Sequence, residues 1–170
     1  MPSSPQPSNA VLKPGALLPG DTVAIVAPAS QIKKGLLLSG CAALEGAGYK
    51  VRYSDDILEE DLYFAGSVKR RVEELHEAFR DPDVKAVLCA RGGYGTNYLL
   101  PHLDLELLRA HPKIFCGYSD ITSLLTYIHD TTGMIVFHGP MVTKDFSCES
   151  GVETNLFRAA TSQAGGWAIK

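Results

Sequence analysis

At 170 residues the chain fits one domain, and 45% hydrophobic against 21% charged residues is the balance of a globular protein able to bury a core. A net charge of −3 and a pI near 5.9, with lysine and arginine scattered along the chain, exclude an electrostatic case for nucleic acid or an anionic membrane as partner. Cys41, Cys89, Cys116 and Cys148 lack CxxC spacing, and three of them stand inside apolar runs. They read as reduced small hydrophobes rather than a disulfide frame or a zinc site, which suits a cytoplasmic setting. The Pro- and Ser-rich residues 1–10 have neither a basic nor an apolar region of the signal-peptide kind, and no apolar span reaches transmembrane length, so residues 1–10 are expected to be a disordered tail.

In chain order, Val23 to Ala27 is a β-branched apolar run that follows Pro19-Gly20-Asp21 and stops at Pro28, the pattern of a buried strand. Leu37, Cys41 and Leu44 then share one helical face that ends near Gly46 and Gly48, and Tyr49 to Tyr53 forms the next strand. Ser67 is placed to cap a second helix with Val68, Val72, Leu75 and Phe79 as its buried stripe; Lys69, Arg70, Glu73, Glu74 and Glu77 are expected to face water, and Asp81-Pro82 ends it. Val84 to Cys89 reads as a strand, Tyr94 to Leu100 as a short helix, and Ile114 to Cys116 as another strand. Ile121 to Ile128 follows as a helix with Leu124, Leu125 and Ile128 inward, and Met134 to Phe137 as a fifth strand. This alternation predicts an α/β fold, Rossmann-like or flavodoxin-like, with a mostly parallel sheet and helices on both faces.

Open parallel sheets bind ligands beyond the carboxyl ends of their strands. Four unusual turns follow strands here: Pro28-Ala29-Ser30, Arg91-Gly92-Gly93-Tyr94-Gly95, Gly117-Tyr118-Ser119-Asp120 and His138-Gly139-Pro140. The run Lys113 to Thr122 passes from an apolar strand through Gly-x-Ser into a helix, which exposes a serine oxygen at the turn and sets the following N–H groups where an oxyanion forms. Ser119 is therefore the candidate nucleophile, although Ile121 replaces the second glycine of a full Gly-x-Ser-x-Gly elbow and an ordinary helix N-cap has the same appearance. Gly92-Gly93-x-Gly95 can cradle a phosphate, make a plain tight turn, or place the Gly93 N–H as an oxyanion donor near Ser119. The full dinucleotide and P-loop patterns are both missing. Arg91 can grip a substrate carboxylate or pair with a neighbouring acid. His138 reads as a structural residue or a substrate contact rather than the base of a local triad with Asp145 or Glu149. The remaining histidines lack ligand spacing, so no metal is expected.

The succession Val23-Ala-Ile-Val-Ala-Pro28, Tyr63-Phe-Ala-Gly66 with Arg71, Asp81-Pro-Asp-Val-Lys-Ala-Val, Ala90-Arg-Gly-Gly-Tyr-Gly95, Pro112 to Thr122 and Phe137-His-Gly-Pro140 resembles the LD-carboxypeptidases, over about Leu12 to Val142. The resemblance implies a cytoplasmic serine peptidase that removes the terminal D-alanine of murein tetrapeptide without a cofactor, or a relative that cleaves peptidyl-nucleotide antibiotics of the microcin type for self-immunity. It implies Ser119 as nucleophile and the N–H groups of Asp120 and Gly93 as oxyanion hole, with Arg91, Gly92, Tyr94, Ser30 and His138 around the substrate. It also implies a homodimer and a division of the chain. Residues 11–145 would form the nucleophile-bearing domain, residues 146–170 would begin the interdomain linker, and the Glu and His of the triad would lie in a C-terminal domain absent from this sequence. A non-catalytic module holding a peptide or protein partner on the same edge is the rival expectation.

Overall fold

The computed structural model describes residues 11–162. The expected tail over residues 1–10, and Gly165-Gly166-Trp167 in the expected linker, lie outside the described residues. Five strands, β1 (Thr22–Val26), β2 (Lys50–Arg52), β3 (Val84–Cys89), β4 (Ile114–Gly117) and β5 (Phe137–His138), form one sheet in the order β2-β1-β3-β4-β5. Every pairing is parallel. This is the flavodoxin-like order, whose reversal point lies between β1 and β3. The strands are continuous apolar runs because both faces are covered: all of β1 and β4 is buried, and in β3 Lys85 alone is exposed.

Side-chain alternation splits the core in two. Val23, Ile25, Ala86 and Leu88 point to one face, where α1 (Lys34–Gly46) supplies Leu37, Cys41 and Leu44, and α5 (Thr154–Thr161) supplies Phe157. Ala24, Val26, Val87 and Phe115 point to the other, covered by α2 (Val68–Arg80), α3 (Leu105–Ala110) and α4 (Thr122–Thr132) through Leu75, Phe79, Leu108, Leu124 and Ile128. α5 lies in the stretch expected to begin the linker; its Phe157 meets Phe146 and Tyr49 edge to face at 5.3 and 6.4 Å between centroids. After β5 the chain makes one π-helical turn, Val142–Phe146, seated on α1 where a Cβ on Gly40 would stand 2.4 Å from the Val142 carbonyl oxygen.

Several local expectations are corrected. Tyr94 to Leu100 is not a helix of the α type but two 3₁₀ turns, Thr96–Tyr98 and Leu100–His102. α3 was not anticipated, although Asp104 caps it by accepting from the Leu107 N–H at 3.0 Å. The fifth strand is only Phe137–His138; Met134 instead makes an isolated parallel bridge with Leu12. Arg70 and Glu74 do not face water. They are 8% and 6% exposed and pair with each other at 2.6 Å, one turn apart on the inner side of α2.

The Ser67 cap is present, its hydroxyl accepting from the Arg70 N–H at 3.1 Å. Ser67→Ala is expected to cost about 1 kcal/mol, the usual worth of such a cap. Urea denaturation should show the midpoint fall with an unchanged slope; an unchanged midpoint would mean that the hydroxyl contributes nothing.

Candidate active site

Ser119 stands where β4 breaks into a helix. Gly117 ends the strand, Ser119–Ile121 is a 3₁₀ turn, and α4 follows at Thr122. Ser119 has φ 62°, and among the described residues only it and Leu62 hold a non-glycine backbone at positive φ. A left-handed non-glycine residue is strained by roughly 1–3 kcal/mol and persists only where its surroundings hold it. Those surroundings are visible. Gly92 lies beneath the elbow, so that a Cβ there would come within 3.1 Å of the Ser119 Cβ and 3.2 Å of the Asp120 nitrogen. The absent side chain is what allows the two loops to touch.

The Gly-rich loop is fixed from three sides. Ser30 donates its N–H to the Gly92 carbonyl at 3.4 Å, and its hydroxyl accepts from the Tyr94 N–H at 3.1 Å. Thr96, fully buried, donates its hydroxyl to the Asp120 carbonyl at 2.7 Å and its N–H to the Asp120 carboxylate at 3.1 Å. Arg71, 1% exposed, donates one Nη to the carbonyls of Pro28 and Gly95 at 3.0 and 3.1 Å and lies 4.8 Å over the Phe64 ring. Burial and the neighbouring Arg70 lower the Arg71 pKa, opposed by Asp61 and Asp120.

Ser119, Gly92, Gly93 and Arg91 line one cleft of about 440 Å³ with Lys33, Leu36, Tyr118, Met141, Thr143 and Lys144. The Gly93 backbone, at φ 116°, has no room for a side chain, since a Cβ would sit 2.3 Å from the Ser30 hydroxyl oxygen. Gly93→Ala is expected to destabilise the fold by about 1–3 kcal/mol through the strained φ alone, and to displace Ser30. Urea denaturation checks the first effect; a variant as stable as the parent would show that this loop is not held as described.

The cleft gathers Arg91, Gly92, Gly93 and Ser119; Asp120, next to Ser119 in the 3₁₀ turn, is not among its lining residues. Ser30 supports the loop from behind. Tyr94 turns outward, half exposed, and stacks on Phe64 at 6.0 Å with its hydroxyl 3.1 Å from that of Tyr98. His138 is not among the residues lining the cleft. It lies in a separate groove with Cys116, Phe137, Pro140, Val152 and Phe157, its ring 6.0 Å from that of Tyr118. Asp145 accepts from the Met141 N–H at 2.8 Å and the Tyr118 hydroxyl at 3.3 Å. Burial and this carboxylate together raise the Tyr118 pKa. Sequence reasoning missed Lys33, Lys144 and Thr143 as lining residues and Thr96 as a fastening. Arg71 carried a usable signal, because position 71 falls on the same helical stripe as Val68, Val72 and Leu75.

Strand, left-handed turn and helix, with bare glycine backbone alongside, form the layout by which α/β serine hydrolases present a nucleophile. The chain belongs to the LD-carboxypeptidase family, matching the family's N-terminal domain over residues 23–139. It is 47% identical over 137 residues to a probable murein peptide carboxypeptidase of Bacillus subtilis, covering 81% of this chain and 43% of that protein. To the murein tetrapeptide carboxypeptidase of Pseudomonas aeruginosa it is 42% identical, over 71% of this chain and 39% of the relative. An MccF-like protein from Bacillus anthracis superposes with a TM-score of 0.84 at 37% identity, over 89% of this chain and 47% of the other. The chain thus spans less than half the length of these proteins. Among the described residues, no helix is long and apolar enough to cross a membrane.

Proposed function

We propose that this chain is the nucleophile-bearing half of a cytoplasmic serine LD-carboxypeptidase that removes the terminal D-alanine from murein tetrapeptide. The observation that carries the reading is Ser119 at φ 62°, on a strand-to-helix turn, opening into a cleft beside the Gly93 backbone. The first N–H groups of a helix have no partner within it, so the Asp120 amide and the helix dipole face developing negative charge. Lys33, Arg91 and Lys144 line the cleft and, among the described residues, no carboxylate does, which suits a substrate ending in a free carboxylate.

In this mechanism the Ser119 oxygen attacks the carbonyl carbon before the terminal D-residue and gives its proton to a histidine. Gly93 and Asp120 amides hold the oxyanion, and collapse expels D-alanine, whose nitrogen takes that proton back; water then cleaves the acyl-enzyme by the same route. The cleft lining contains no histidine among the described residues. The family resemblance assigns the base to a Glu and His of a second half, and on that reading the chain alone is expected to be inactive. Exposed Leu36, Leu38, Leu62 and Tyr63 support the further proposal of a homodimer.

The test mixes this chain with the C-terminal half of a family relative and measures D-alanine release from murein tetrapeptide and from its all-L isomer. Release from the first substrate only is expected. Binding without turnover would favour a non-catalytic peptide module, and preferential cleavage of an aminoacyl nucleotide analogue would favour the microcin-type immunity activity that the family resemblance also implies.

A further inference from the structure

We infer that Thr96 is a positioning residue for the oxyanion hole, acting through a two-point latch on Asp120; the inference rests on the proposed nucleophilic role of Ser119. The strained Ser119 backbone must be held by something other than its own helix, because the residues that follow it form a single 3₁₀ turn before α4 begins. The missing side chain at Gly92 leaves room for the elbow, which permits close approach but sets no orientation.

Thr96 supplies the orientation. Its hydroxyl donates to the Asp120 main-chain carbonyl at 2.7 Å, and its own N–H donates to the Asp120 carboxylate at 3.1 Å. The two bonds run from one fully buried residue to both the backbone and the side chain of the residue whose N–H is the proposed oxyanion donor. The carbonyl and the carboxylate both hang from the Cα that carries the donor N–H, so a displacement of Asp120 would break at least one of the two bonds. Thr96 also stands three residues after Gly93, the other proposed donor, in a loop whose Gly95 carbonyl is fixed by Arg71 at 3.1 Å. A displacement of Thr96 therefore shifts the two donors relative to each other. Asp120 at the start of a helix has the ordinary role of complementing the dipole, but that role uses neither contact to Thr96.

The experiment compares Thr96→Val, which deletes the hydroxyl donor, with Thr96→Ser, which keeps it. In the isolated chain, amide hydrogen exchange of residues 96 and 121, whose N–H groups are bonded to Asp120 and Tyr118, is expected to quicken about tenfold in the valine variant and to return in the serine variant, with α2 and β3 unchanged. In the mixture with a relative's C-terminal half, Thr96→Val should lower kcat about 10- to 100-fold with KM unchanged, less than deletion of an oxyanion donor costs. Unchanged exchange at 96 and 121, loss of protection throughout the sheet, or a parental kcat would each overturn the latch. Turnover that survives Ser119→Ala would instead overturn the functional reading, and the exchange comparison would still decide the latch.

Discussion

Ser119→Ala is expected to reduce D-alanine release by the reconstituted enzyme by about a million-fold, to what binding and the oxyanion donors supply on their own. Alanine keeps the Cβ, so the left-handed strain at φ 62° is unchanged and the fold should be as stable as the parent. The loss is then chemical rather than structural. His138→Ala provides the contrast. His138 lies in the groove beside Phe157 rather than in the serine cleft, so its removal should leave turnover within a few-fold of the parent. Hydrolysis that survives Ser119→Ala, or that collapses with His138→Ala, would show that the nucleophile or its base has been wrongly assigned.

The largest effect on stability is expected from Glu74→Gln. One Glu74 oxygen accepts from the Ala27 N–H at 2.7 Å and the other from Arg70 at 2.6 Å, both inside the core. A carboxamide offers one acceptor oxygen, so its NH₂ must face either a backbone N–H or a guanidinium. Arg70 would keep the Ala65 carbonyl at 2.9 Å and the half-exposed Asp56 at 3.3 Å as its remaining partners. Breaking a buried pair in this way costs about 3–5 kcal/mol. Burial raises the Glu74 pKa from 4.5 to about 7, against the pull of Arg70 and the Ala27 amide. The folded state thus binds a proton that the unfolded chain has lost between those limits. The contribution of this group is complete below 4.5 and is lost as pH rises through about 7. Urea denaturation on both sides of this window should show the parent losing stability with rising pH and the glutamine variant lacking that component. A variant within 1 kcal/mol of the parent, with the same pH slope, would refute this account of the pair.

The sheet was legible in the sequence because a parallel strand covered on both faces is an unbroken apolar run. Thr22–Val26, Val84–Cys89 and Ile114–Gly117 have that form, and the turns after them carry the glycines and the serine. What escaped was lateral placement. Reading along the chain shows which residues follow strands but not which strand ends are neighbours. His138 was grouped with Ser119, yet the π-helical turn after β5 folds back toward α1, and the Thr143 N–H bonds to the Ala90 carbonyl at 2.8 Å. That return places Met141, Thr143 and Lys144, not His138, beside the serine. The inward Arg70–Glu74 pair escaped for another reason: charge at i,i+4 is the usual mark of a solvated helix face, and nothing local tells a buried pair from an exposed one.

The bonds from Arg71 to Pro28 and Gly95 have a consequence for how the cleft can move. They tie two of its loops to the interior of a thirteen-residue helix whose Leu75 and Phe79 are packed under the sheet. These loops cannot swing as a lid without pulling a buried guanidinium out of the core, so the floor of the cleft is rigid on the timescale of substrate entry. Any gate over Ser119 must therefore come from elements other than these two loops.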